Sequence, residues 1–304
     1  MLSRLNEIRG QVAVRGTQSL VHICAACWKR PSLLGWELLW RWGFGIPLAI
    51  ILYLQGKRIV SGVLLSQEGL SGISLNDPVQ AAQQLTVAAT ALAPAIARTA
   101  FWLAPLLAIA WALVSGLGRN AVLQRLDPAL RPAPRTLIAL QLLRISALAV
   151  ACLAWYRAIN WAAETTLSGA EPNLVAYSAW VICLSLGMFL LWALLSWVFS
   201  IAPLLAMLEG TGVLGSLVRS LHLGPLTGKL VEVNLVLGIV RLALIVLAMV
   251  FSAIPLPFEA DMTGAALYLW WGVVTLLYLV ASDFFQVARL AAFVHFWRHY
   301  RSEH

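Results

Sequence analysis

Six apolar stretches, each long enough to cross a bilayer or nearly so, divide the chain and set the terms of its fold. They cover about residues 41–55, 99–117, 136–159, 174–208, 229–254 and 263–297. A hydrocarbon core about 30 Å thick takes about 20 helical residues to cross. Within that core each backbone amide needs a partner inside its own segment, which helices provide. The expected fold is therefore all-α: a polytopic six-span transmembrane bundle with amphipathic interfacial helices. Composition agrees. Of 304 residues, 61% are hydrophobic and 11% charged, whereas a soluble domain carries about 25% charged residues. Too few charges exist to cover a water-facing globule. The 14 Trp residues suit membrane interfaces.

The net charge of +8 is read as topological rather than as a nucleic-acid footprint, because no basic run is interleaved with exposed aromatics. Lys and Arg gather in the N-terminal segment, in 118–135, in 209–229 and in the tail at 299–304. The 159–174 and 255–263 loops are acidic, with Glu164, Glu171, Glu259 and Asp261. The positive-inside rule then places both termini in the cytoplasm. Lys57, Arg58 and Arg98 in the 56–98 segment run against this balance. Arg4, Glu7, Arg9 and Arg15 interrupt any apolar leader, so the first span is expected to direct insertion.

Residues 1–40 read as interfacial. Leu20, Ile23, Cys24, Cys27 and Trp28 form a helical stripe that Pro31 ends, and a short helix from Leu33 to Trp40 leads into the first span. Asp77-Pro78 is a helix start, and Pro94 and Pro105 should bend the helix that follows. A basic connector spans Gly118 to Arg135. From Thr211 to Leu223 a second amphipathic segment carries Val213, Leu214, Leu217, Val218 and Leu221 on one stripe, with Ser216, Arg219 and Ser220 off it.

Ionisable residues within spans are costly and are functional candidates by default. Arg144 and Arg241 sit at similar depth in spans three and five, and Asp283 and Glu232 lie nearer the cytoplasmic side. Asn234, Gly238 and Arg241 share a face of span five that should look into the bundle. Two readings follow. One is a polar path or anion site lined by Arg144, Arg241 and Asp283. The other is a buried pair, Arg241–Asp283 or Arg144–Asp283, that sets helix register. A cavity at the arginines separates them.

Cys24 and Cys27 lie on the apolar stripe, and Cys152 and Cys183 fall mid-span, so all four are read as packing residues rather than as a disulfide or metal set. His295 and His299 stand one turn apart in an aromatic, basic tail, where anchoring is the plainer account. No P-loop, dinucleotide fingerprint, catalytic triad or His-Glu-x-x-His occurs. No metal, cofactor or catalytic residue is expected.

The stretch Pro203-Leu-Leu-Ala-Met-Leu-Glu209-Gly210, followed by Ser216-Leu-Val-Arg219-Ser220, resembles a signature of the YciC-like inner-membrane proteins and of the glycerophosphodiester phosphodiesterase membrane domain. The likeness covers roughly residues 195–250. Leu221 stands where an aromatic often follows. The resemblance implies six spans, cytoplasmic termini and an inner-membrane location, and carries no shared activity. Glu209, Gly210, Ser216, Arg219 and Ser220 are then linker candidates that end span four and orient the short helix. A coupling helix at 211–223, as in transport permeases, is the alternative. The leading expectation is a non-enzymatic scaffold, assembly or lipid-organising protein, and the runner-up a transporter component. Membrane lipids are the expected partners, with a membrane or cytoplasmic protein beside them.

Overall fold

A computed structural model describes residues 17–62, 78–168, 173–222, 226–253 and 264–303. Among them are eight helices: α1 (Thr17–Trp28), α2 (Pro31–Gly62), α3 (Pro78–Leu126), α4 (Pro134–Leu167), α5 (Leu174–Glu209), α6 (Val213–Leu221), α7 (Leu226–Ala253) and α8 (Ala265–Glu303). Six of these, α2 to α5, α7 and α8, are long and apolar enough to cross a membrane. The protein is a six-span helical membrane protein.

The helix ends follow local chemistry. Pro31, Pro78 and Pro134 are each the first residue of their helix, where a missing N–H costs nothing. Asp77, expected to cap α3, lies outside the described residues, as do Glu171, Glu259 and Asp261. Asn173 caps α5, its side-chain oxygen accepting from the Ala176 amide at 2.9 Å. Gly210 ends α5 in the left-handed region at φ 67°, where a Cβ would also press on the Arg131 side chain.

Several boundaries depart from the sequence reading. Leu33–Trp40 is continuous with span one instead of forming a helix of its own, and α2 runs on to Gly62. The buried charge of Glu37 is satisfied within the helix, by Trp40 and Arg41. The connector expected from Gly118 is helical to Leu126, and the segment after Ile159 stays helical to Leu167. Close contact explains the first case: Gly116 faces Ile138 of α4, and Gly118 faces the Trp40 indole of α2, with no room at either for a Cβ. Small residues let helix backbones approach in lipid.

The bundle is packed at one end and splayed at the other. Its main core joins Leu123, Leu137, Leu205, Met207, Val233 and Phe293, drawn from the ends of five helices that meet on one side. Cys27 and Leu33 add α1 and the start of α2 by packing on Val287 and Ala288. The fully buried residues of α5 begin only at Phe199. Beyond this closed end, Phe101, Ile182, Phe189 and Leu194 point outward, as lipid-facing side chains do. Cys152 and Cys183, expected to pack, are also exposed on the bundle's outer surface. Apolar faces without a protein neighbour are stable there because lipid is as apolar as a core.

The connector and α6 lock the closed end. The Arg131 amide donates to the Met207 carbonyl at 3.1 Å, and Arg298 pairs with Asp127. α6 folds back along α5, its Val213 and Leu217 packing on Leu140, Ala202 and Ala206.

Candidate functional site: a cationic cavity between the spans

Five arginines from five helices reach one cavity. Arg41 comes from α2, Arg119 from α3, Arg144 from α4, Arg241 from α7 and Arg289 from α8, while α5 contributes Ser196 and Ser200. All six spans therefore line it. Each arginine stands between seven and eleven residues in from the closed end of its span. At 1.5 Å per residue that is a slab about 10–17 Å deep. The convergence follows from equal depth on antiparallel helices.

The acids are fully used on one arginine. Glu37, 1% exposed, receives Trp40 Nε1 at 2.9 Å and pairs with Arg41 Nε at 2.7 Å. Arg41 Nη1 then donates to Asp283 Oδ1 at 2.5 Å, and Trp42 Nε1 reaches Asp283 Oδ2 at 3.3 Å. Arg41 thus bridges two carboxylates and ties the start of α2 to the middle of α8. The other four arginines make no ion pair among the described residues. Arg241 Nη2 donates to Gln286 Oε1 at 3.2 Å. Arg119 lies near enough to feel Glu37, Arg144 and Arg41, and Arg289 feels Arg119, Arg241 and Arg144. Five guanidinium groups against two carboxylates leave three positive charges in surplus.

A lone arginine at the centre of a spanning helix costs at least about 2.5–3.5 kcal/mol. Four without carboxylate partners need water or anions. The cavity has room, at about 1540 Å³. Its character changes along its length. Arg289, Gln286, Asp283 and Ser282 line the end near the closed core, whereas Leu279, Leu276, Trp271 and Tyr268 line the other. On α2, Arg41 gives way to Leu48 and Leu52 in the same direction. The result is a polar floor beneath an apolar shaft.

Of the residues singled out from the sequence, Arg144, Arg241 and Asp283 do share this cavity. Neither expected pair forms: Asp283 takes Arg41, not Arg144 or Arg241, because α2 stands against α8 at that level. Glu232 is exposed on the outer face of α7, away from the cavity. Asn234 is half-buried but does not line it, and Gly238 is exposed, so the face with Arg241 turns inward only in part. Glu37, Arg41, Arg119, Arg289 and Gln286 were missed. Arg119 had been placed in a connector, and Arg41 at a span edge. Their common depth below the closed end was the available signal.

The linker residues form a second, separate group. Glu209 pairs with Arg219, and Gly210 makes the left-handed turn between them. Ser216 and Ser220 are fully buried, their hydroxyls donating to the Val213 and Leu217 carbonyls. α6 therefore buries its serine face, while Leu214, Val218 and Leu221 point outward. Small serines permit a closer approach to α4 and α5 than the leucines would, and the apolar stripe suits the membrane interface. In α1, Cys27 is buried and Cys24 half-buried, and burial raises both thiol pKa values. The side chain of His299 lies outside the described residues.

Fold and site together define a six-span membrane protein with an intramembrane cationic cavity. Set against known proteins, the chain matches no family model, no curated protein and no solved structure.

Proposed function

We propose that this chain is a non-enzymatic membrane protein that holds a phosphate-class anion on the arginine floor of its cavity. The single supporting observation is the surplus of three positive charges in a space that all six spans line. A structural role for the charges would need each arginine matched to a carboxylate or to several carbonyls, and four are not matched to a carboxylate. An oxyanion meets the need directly, since guanidinium groups bind phosphate through paired hydrogen bonds. Asp283, the carboxylate that lines the floor, is held by Arg41 and Trp42, and the Ser200 hydroxyl donates to the Ser196 carbonyl, which favours binding over chemistry.

We place the closed end in the cytoplasm of the cell that carries the protein, in its inner membrane. Lys29, Arg30, Arg125, Arg131, Arg135 and Arg298 all flank that end, as the positive-inside rule requires. The likeness of residues 195–250 to YciC-like proteins agrees with this orientation. Transport is the second reading, favoured by a cavity sealed by the core at one end. The outward apolar stripe of α6 supports seating at the membrane interface more than coupling to a cytoplasmic ATPase.

The test is thermal unfolding of detergent-purified protein with rising inorganic pyrophosphate at constant ionic strength. The wild type should be stabilised in a saturable way, and the Arg144→Gln/Arg241→Gln variant should not. Equal responses in both proteins would sink the reading. A counterflow assay in proteoliposomes then separates holding from transport.

A further inference from the structure

The cavity is far larger than its floor requires. At about 1540 Å³ it exceeds the roughly 300–1,000 Å³ that drug-sized ligands occupy. An inorganic anion would fill only the arginine end. The shaft above it would be left to water, against Leu48, Leu52, Leu276 and Leu279, at a cost set by that apolar area. From Tyr268 to Arg289 the lining of α8 extends over 22 residues, about 31 Å of helical rise. That is close to the thickness of a hydrocarbon core.

We propose that the cavity takes one lipid whose head carries more than one phosphate charge, with the head on Arg119, Arg144, Arg241 and Arg289 and the chain along the shaft. This rests on the anion reading and adds the substrate class to it. Charge sets the head. A zwitterionic head adds no net charge to a floor three positive charges in surplus, a phosphodiester leaves two of the three, and a phosphomonoester still leaves about one. A diphosphate, or two linked phosphates, nearly matches it. Polarity sets the tail, because the cavity turns from Arg289 and Gln286 to Leu276 and Trp271 along a single helix. Position sets the direction. The floor stands about 10–17 Å in from the span ends, and five of the six spans, at 32 to 37 residues, overshoot the hydrocarbon, so the floor falls near one headgroup layer. A lipid of that leaflet would keep its native orientation inside the bundle.

Farnesyl diphosphate, pyrophosphate and farnesol supply head with tail, head alone and tail alone. Binding of each to the intact protein in the same detergent is measured by calorimetry. Farnesyl diphosphate should bind at least about tenfold more tightly than either fragment: over pyrophosphate because about two buried chain carbons already carry that factor, and over farnesol because a single charge-assisted hydrogen bond to the head does. Gly45 and Gly272 line the shaft with open space where a Cβ would go. Gly45→Phe/Gly272→Phe therefore brings two rings into the shaft from positions where the Cβ itself is unobstructed. It should erase the advantage of the farnesyl chain and leave pyrophosphate binding intact. Arg144→Gln/Arg241→Gln should lose both diphosphates, with Arg144→Lys/Arg241→Lys keeping part of the binding and serving as the folding control.

Pyrophosphate binding with no gain from the chain would overturn the lipid proposal and leave the anion reading standing. Failure of both diphosphates in the wild type would overturn both. Farnesol binding as tightly as farnesyl diphosphate would overturn the role of the head.

Discussion

Arg41 is the residue on which the electrostatics of the cavity turn. Its guanidinium holds two carboxylates at once, one on its own helix and one on α8. Removing a single member of a buried ion group is far costlier than removing both partners. Arg41→Met, which strands Glu37 and Asp283 together, should therefore lower the unfolding midpoint more than Asp283→Leu, which leaves Arg41 paired with Glu37. A double-mutant cycle by thermal or denaturant unfolding should give a coupling of about 0.5–3 kcal/mol, because the residues share one network. The lower half is the better expectation, since the Arg41 side chain is 25% exposed. Additive effects would show that the bridge carries no stability. Close approach gives a second expectation at this scale. Gly118→Ala forces a Cβ into the Trp40 ring, while Gly272→Ala meets open space. The first should cost about 1–3 kcal/mol by overpacking. The second should be neutral or slightly stabilising, as alanine replaces glycine within a helix. The pair is checked in one unfolding series.

Among the elements, α1 and α6 decide how the closed end is sealed. α1 lies on α8 through Ile23, Cys24 and Cys27, with Trp28 set edge-on to Phe284 at 5.7 Å. Burial raises both thiols above the ordinary value of 9.0. A raised thiol pKa leaves less thiolate at any pH below it, and thiolate is the reactive form. Alkylation of Cys24 and Cys27 should therefore lag behind that of a free thiol at pH 8 and catch up only above pH 9. Mass spectrometry of the labelled peptide would read this. Rapid labelling at pH 8 would mean that α1 is not docked. α6 hangs from Gly210 and the Glu209–Arg219 pair. Gly210→Ala must place a Cβ in the left-handed region and against Arg131. It should cost about 1–2 kcal/mol, where Gly212→Ala, with open space around it, should cost little. Equal melting temperatures for the two variants would remove the turn from the account.

At the scale of the whole molecule, all six spans line the cavity, and an anion on Arg119, Arg144, Arg241 and Arg289 joins four of them. Ligand at 100 times its dissociation constant should add about 2.7 kcal/mol to the stability of the bundle. For pyrophosphate that gain should shrink as salt rises, because the free anion is screened in the water it leaves. Unfolding curves at two ionic strengths check this. A gain independent of salt would point to a site other than the arginine floor.

Much of this architecture is legible in the amino-acid order alone. Six runs of apolar residues specify helices that cross a bilayer, because no other backbone arrangement open to such runs pairs its amides in hydrocarbon. Pro78 marks a helix start, and Arg144, Arg241 and Asp283 stand out as charges in costly places. Only the tertiary structure decided which charges meet. Apolar faces that touch lipid and apolar faces that touch helices have the same composition, so nothing in the string reveals which side of a span turns inward. That ambiguity hid the serine face of α6, the outward Glu232, and the partnership of Arg41 with Asp283, 242 residues away. Helix continuity through Gly118 depends on backbone approach to Trp40 and Ile138, and it carries Arg119 from an expected loop to the floor of the cavity.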